Sequence, residues 1–113
     1  MTSTTVSNAE RIRALNDAFR RTFVGGAVMI IAGVEAMPLD QRRSLLEKVR
    51  ALDAFTEDND PHGEHDLGVV EHAGVRCFWK IDYYDREMGV LSPNPADPAV
   101  TTRVLTVMLA DEY

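Results

Sequence analysis

Residues 75–85 read VRCFWKIDYYD, and the parity of this stretch decides the fold. On an extended chain Cys77, Trp79, Ile81 and Tyr83 share one side, while Phe78, Lys80, Asp82 and Tyr84 share the other. Such a strand turns its odd positions into a core and leaves aromatic and charged residues alternating on the far face. Residues 67–72 carry the same period of two, and the Ala73-Gly74 between the runs suits a tight hairpin, with Gly74 supplying the positive φ that such turns require. Residues 101–109, rich in β-branched side chains, make a final strand.

Toward the N-terminus the period lengthens. Ser7 and Glu10 have the spacing of a capping box, and Ile12, Leu15, Phe19 and Phe23 recur every three or four residues behind it. This predicts a helix with a solvated basic face of Arg11, Arg13, Arg20 and Arg21, stopped by Gly25 and Gly26. Residues 27–34 are apolar at both parities, the pattern of an interior strand buried on two faces. A second helix follows Pro38, with Leu45, Leu46, Val49 and Leu52 along one side, and ends near Phe55. Residues 86–99 contain SPNPADP, whose prolines refuse both helix and central strand, so they form a long loop. The expected fold is α+β: two helices packed on one face of a four-stranded, mainly antiparallel sheet, in the order α-β-α-β-β-β.

The chain has 113 residues, 12.6 kDa and 45% hydrophobic residues, enough for one core and one domain over residues 1–113, with 1–6 as a flexible N-terminal tail. A net charge of −6 argues against direct nucleic-acid binding, which needs a basic stripe. The longest apolar run, residues 23–34, carries three glycines and falls short of the roughly 20 residues of a membrane span. Cys77 has no second cysteine to pair with, and residues 1–7 lack the basic start and apolar run of a secretory signal, so a cytoplasmic home is expected.

Four ordered stretches, NDPHGEHD (59–66), WKIDYYD (79–85), SPNPADP (92–98) and TRVLTVML (102–109), resemble an uncharacterised family of short bacterial proteins known as a domain of unknown function. The likeness runs from RIRALND (11–17) to Tyr113. It implies an alphaproteobacterial chain, often plasmid-borne or on another mobile element, and it brings no catalytic residue, cofactor or substrate.

Chemistry is concentrated in NDPHGEHDLG, residues 59–68. Asp58, Asp60, His62 and Gly63 fall on positions one, three, five and six of a calcium loop, but His62 stands where an oxygen ligand belongs, Pro61 intrudes, and Val69 replaces the bidentate Glu. A zinc or manganese site could use Asp60, His62, His65 and Asp66 as ligands, with Asp82 from the strand and Glu64 as base; this is the alternative of a metal-dependent hydrolase or nuclease built on residues 58–66. Without a metal, His62 or His65, tuned by Glu64 or Asp66, would act as base on a substrate held by Lys80 and Tyr84. The default is a brace that fixes the lead-in to the strand at Leu67, with no cofactor. The far face of the decisive strand, with Phe78, Lys80, Asp82, Tyr84 and the adjoining Asp85, is the expected binding surface of a small regulatory module. Because both helices cover the same face, a protein partner or self-association is expected to cover the other.

Overall fold

Ser7 opens the first helix in the computed structural model, which describes residues 7–113; the tail expected over residues 1–6 lies outside the described residues. The helix, α1, runs Asn8–Thr22, and Ser7 Oγ accepts from the Glu10 N–H at 3.1 Å. It ends ahead of the glycines expected to stop it. Phe23 takes the left-handed conformation (φ 58°) and its N–H bonds the Phe19 carbonyl. Its ring packs on the core beneath the Arg50 guanidinium, 5.5 Å away, which offsets the strain of that backbone.

Residues 27–34 do not form an interior strand. β1 spans Gly26–Ile30 at the edge of the sheet, and the chain then coils into a single-turn helix, α2 (Ala32–Glu35), that buries Val34 completely. Val28 and Ile30 pack on the core, whereas Met29 faces the other way and is 51% exposed. The two apolar parities therefore serve two different surroundings. The second long helix, α3 (Leu39–Ala51), buries Leu45 and Val49 completely, as its stripe predicts.

The hairpin forms as read. β2 (Leu67–His72) pairs antiparallel with β3 (Val75–Tyr84), His72 opposite Val75, through a turn in which both Ala73 (φ 52°) and Gly74 (φ 78°) are left-handed. Gly68 lies opposite Trp79, and a Cβ there would collide with the indole, so this site in the strand admits no side chain. β4 (Thr102–Leu109) pairs antiparallel with β3 and parallel with β1, giving the order β1-β4-β3-β2. It is β4, not the residue 27–34 stretch, that is buried on both faces, from Arg103 to Met108.

The fold is α+β, with three helices among the described residues and a four-stranded sheet that is antiparallel apart from one pair. Phe19 of α1, Val34 of α2 and Leu45 and Val49 of α3 meet Cys77, Trp79, Ile81, Leu105 and Val107 on one sheet face. The opposite face carries no helix among the described residues. At its end the chain turns through Ala110–Glu112, and the Glu112 carboxylate accepts from the N–H groups of Gly33 and Leu109, both at 2.9 Å, tying the C-terminus to the start of α2. No helix among the described residues is long and apolar enough to cross a membrane.

Candidate functional site

The polar loop folds back on α1, and His65 is its anchor. Its ring stacks on Phe55 at 3.7 Å, Nδ1 lies 2.8 Å from Asp17 Oδ1, and Nε2 lies 3.5 Å from Asp60 Oδ2. Asp60 also accepts the His65 backbone N–H at 3.1 Å, holding the left-handed turn at that residue (φ 54°). Asp17 is shared with Arg20, whose Nη2 donates to it at 3.1 Å. Arg20 is wholly buried; Nη1 donates to the Val49 and Arg50 carbonyls at the end of α3, and the guanidinium lies 5.3 Å from the Phe55 and Trp79 ring centroids. It thus satisfies acceptors that a helix C-terminus leaves open. Burial pushes its pKa down, opposed by the hydrogen bond and charge of Asp17. The basic face expected of α1 is therefore broken at Arg20, which is structural and internal.

A second network adjoins the first. Fully buried Asn16 donates to the Glu64 carbonyl at 2.9 Å and to the Tyr83 hydroxyl at 2.8 Å, and accepts from Arg103 Nε at 2.7 Å. The Tyr83 hydroxyl donates in turn to Glu64 Oε1 at 2.9 Å. Burial, more than the Glu64 bond, drives the Tyr83 pKa far upward, against an opposing effect of Asn16. Asp66 is half-buried; its pKa is raised by the same loss of water, and its carbonyl accepts from the Ile81 N–H at 2.7 Å.

The structure thus gathers Asp60, Glu64 and His65 against α1, leaves His62 exposed, and places Asp82 on the opposite face of the sheet. Among the described residues no three His, Cys, Asp or Glu side chains are grouped so as to hold a metal ion. Both ring nitrogens of His65 point at carboxylates, an arrangement that fixes the loop and leaves neither nitrogen open to a substrate. Neither Arg13, Asn16 and Asp17, which bond this loop, nor Arg20 and Arg103, which bond Asp17 and Asn16 behind it, follow from the motif itself. The signal was there for two of them: Asn16 and Arg20 fall four and eight residues after Ile12, inside the apolar stripe.

On the helix-free face a cleft of about 520 Å³ is lined by Met29, Lys80, Asp82, Tyr84, Thr106 and Met108, with Met88 and Tyr113 at its margin. Lys80 Nζ and Asp82 Oδ2 pair at 2.9 Å on its floor, and that bond raises the Lys80 pKa. Three of the five residues expected as a binding surface, Lys80, Asp82 and Tyr84, therefore converge here. Phe78 lies apart, edge-on to Tyr113 at 5.4 Å, in a smaller hollow with Leu67 and Val69. The Asp85 carboxylate turns into its own loop and accepts the Gly89 N–H at 2.9 Å. Met29, Thr106 and Met108 join the surface through the β1–β4 and β3–β4 pairings, which place Met29 beside Thr106 and Thr106 beside Lys80.

Residues 30–112 match the family model described as Protein of unknown function (DUF3768). The match takes in all four motifs that carry the family resemblance and stops short of the 11–17 stretch. No curated protein and no solved structure matches the chain.

Proposed function

Given that the chain belongs to this family, whose description carries no activity, we propose that it is a small binding or regulatory module that engages a protein partner through the helix-free face of its sheet. The observation that carries the proposal is the cleft of about 520 Å³ with an ion pair on its floor and methionines around it. Its volume falls within the roughly 300–1,000 Å³ of ordinary binding pockets. Methionine side chains adapt to the shape of an apolar anchor, and the Lys80–Asp82 pair offers a donor and an acceptor side by side. A bacterial, cytoplasmic chain serving as accessory to a mobile element is the setting that the motif resemblance suggests. Neither a resident cofactor nor a nucleic-acid partner is part of the proposal.

The test is capture of partners from the native host with the unmodified chain beside a Lys80→Ala, Asp82→Ala double variant. Loss of the captured proteins in the variant is the expected result, and recovery of the same set from both chains overturns the proposal. The second reading, a metal-dependent hydrolase or nuclease on residues 58–66, draws on the 3.5 Å approach of Asp60 to His65. Stoichiometric zinc or manganese in purified protein, lost on changing His62 and His65 together, would favour it.

A further inference from the structure

On the helix side of the sheet a second cleft, about 180 Å³, opens between the C-terminal half of α1 and the proline loop. Its lining includes Leu15, Phe19, Val24, Pro98, Arg86 and Arg103. Arg103 is only 4% exposed, yet its two hydrogen bonds, from Nε to Asn16 Oδ1 at 2.7 Å and from Nη2 to the Pro95 carbonyl at 2.6 Å, both end on neutral acceptors. The Tyr83 ring lies 5.2 Å from the guanidinium, and the Glu64 carboxylate, held by the Tyr83 hydroxyl, makes no direct ion pair with it. Among the described residues no carboxylate forms an ion pair with Arg103 or Arg86 within 4.0 Å, and residues 1–6 contain no Asp or Glu that could. The other buried arginine, Arg20, has Asp17 at 3.1 Å.

A buried cation with no direct ion pair is costly, and burial pushes the Arg103 pKa down, opposed only in part by the more distant charges of Tyr83 and Glu64. A guanidinium is also the side chain best suited to grip a planar anion with two parallel bonds. The remaining lining is mostly apolar, and the volume is too small for a drug-sized molecule. We propose that this cleft binds a small organic carboxylate, its anionic group between Arg103 and Arg86 and its short apolar stem against Leu15, Phe19 and Val24. The site lies across the sheet from the methionine-lined cleft, so the two proposals stand or fall separately.

Titration of the isotope-labelled full chain by two-dimensional NMR tests it, with isovalerate as probe, and isovaleramide and inorganic phosphate as controls. Saturable shifts confined to the amides of residues 15–25, 85–87 and 99–103 with isovalerate, and none with the neutral amide, are expected. Arg86→Gln, an exposed change that leaves the fold intact, weakens binding about two- to fivefold, the worth of an exposed ion pair. Arg103→Gln abolishes binding; if that chain fails to fold, the Arg86 variant and the neutral amide decide. Equal shifts with the amide, tighter binding of phosphate, shifts that do not saturate, or an Arg86 variant that binds as the unmodified chain does would each overturn the proposal.

Discussion

Arg20 carries a charge to the centre of the molecule, and its environment explains why it stays there. Asp17, the two carbonyls that end α3 and two aromatic rings surround it, so the residue joins α1, α3 and the polar loop in one contact set. Removing one partner of such a buried pair leaves the other charge and the carbonyls uncompensated. Arg20→Ala is therefore expected to lower stability by about 3–5 kcal/mol, read from urea denaturation. Tyr83 gives a pH-dependent counterpart. A phenol in the unfolded chain ionises near its usual value of about 10, whereas burial raises that of Tyr83 in the fold. The unfolded chain then loses its proton first. The stabilisation is fully present below about pH 10 and falls away as the pH rises above it. Tyr83→Phe, which removes the bond to Glu64, is expected to cost about 1–2 kcal/mol at neutral pH and to flatten the decline between about pH 9 and 11, as measured by urea midpoints.

At the scale of the element, period and capping were legible where a segment has one dry face and one wet one. The alternation from Cys77 to Tyr84, the Ala73-Gly74 hairpin, the stripe of α3 and the Ser7 cap all appear as their patterns require. What failed was the inference from apolarity to position. The 27–34 stretch is apolar at both parities, whereas the 101–109 stretch carries Arg103 and three threonines, and only long-range pairing decides which is central. β4 takes that place because it pairs on both sides, antiparallel with β3 and parallel with β1. A parallel partner joined by a crossover leaves no local mark in the sequence, unlike a hairpin turn. This placement has a dynamic consequence. Amides of β4 and of β3 facing it should be the slowest to exchange with deuterated solvent, whereas β1, held on one side only, should exchange faster; β1 protection equal to that of β4 would contradict the strand order.

At the scale of the whole molecule the sheet separates two kinds of surface, and this limits what the sequence could say about sites. The crowded motif of residues 59–68 stands out because its chemistry is contiguous, but its partners, Asp17 and Asn16, lie more than forty positions away in the chain, on α1. The helix-free cleft was half legible: Lys80, Asp82 and Tyr84 follow from parity alone, while Met29 and Met108 arrive from strands whose neighbours the sequence does not declare. Those methionines also supply a probe of the surface in the intact molecule. Met29 and Met88 are 51% and 47% exposed, whereas Met108, against the sheet at the cleft, is 4% exposed. Thioether oxidation follows solvent access. With limiting peroxide, mass spectrometry should find sulfoxide at Met29 and Met88 well before Met108. A partner seated in the cleft should slow the first two, while half-buried Met37, which packs on the core, keeps its own rate as the internal reference. Oxidation of Met108 as fast as Met29 in the free chain would mean that the cleft is more open than its geometry. Met29 and Met88 rates that captured partner leaves unchanged would move the interaction off this face.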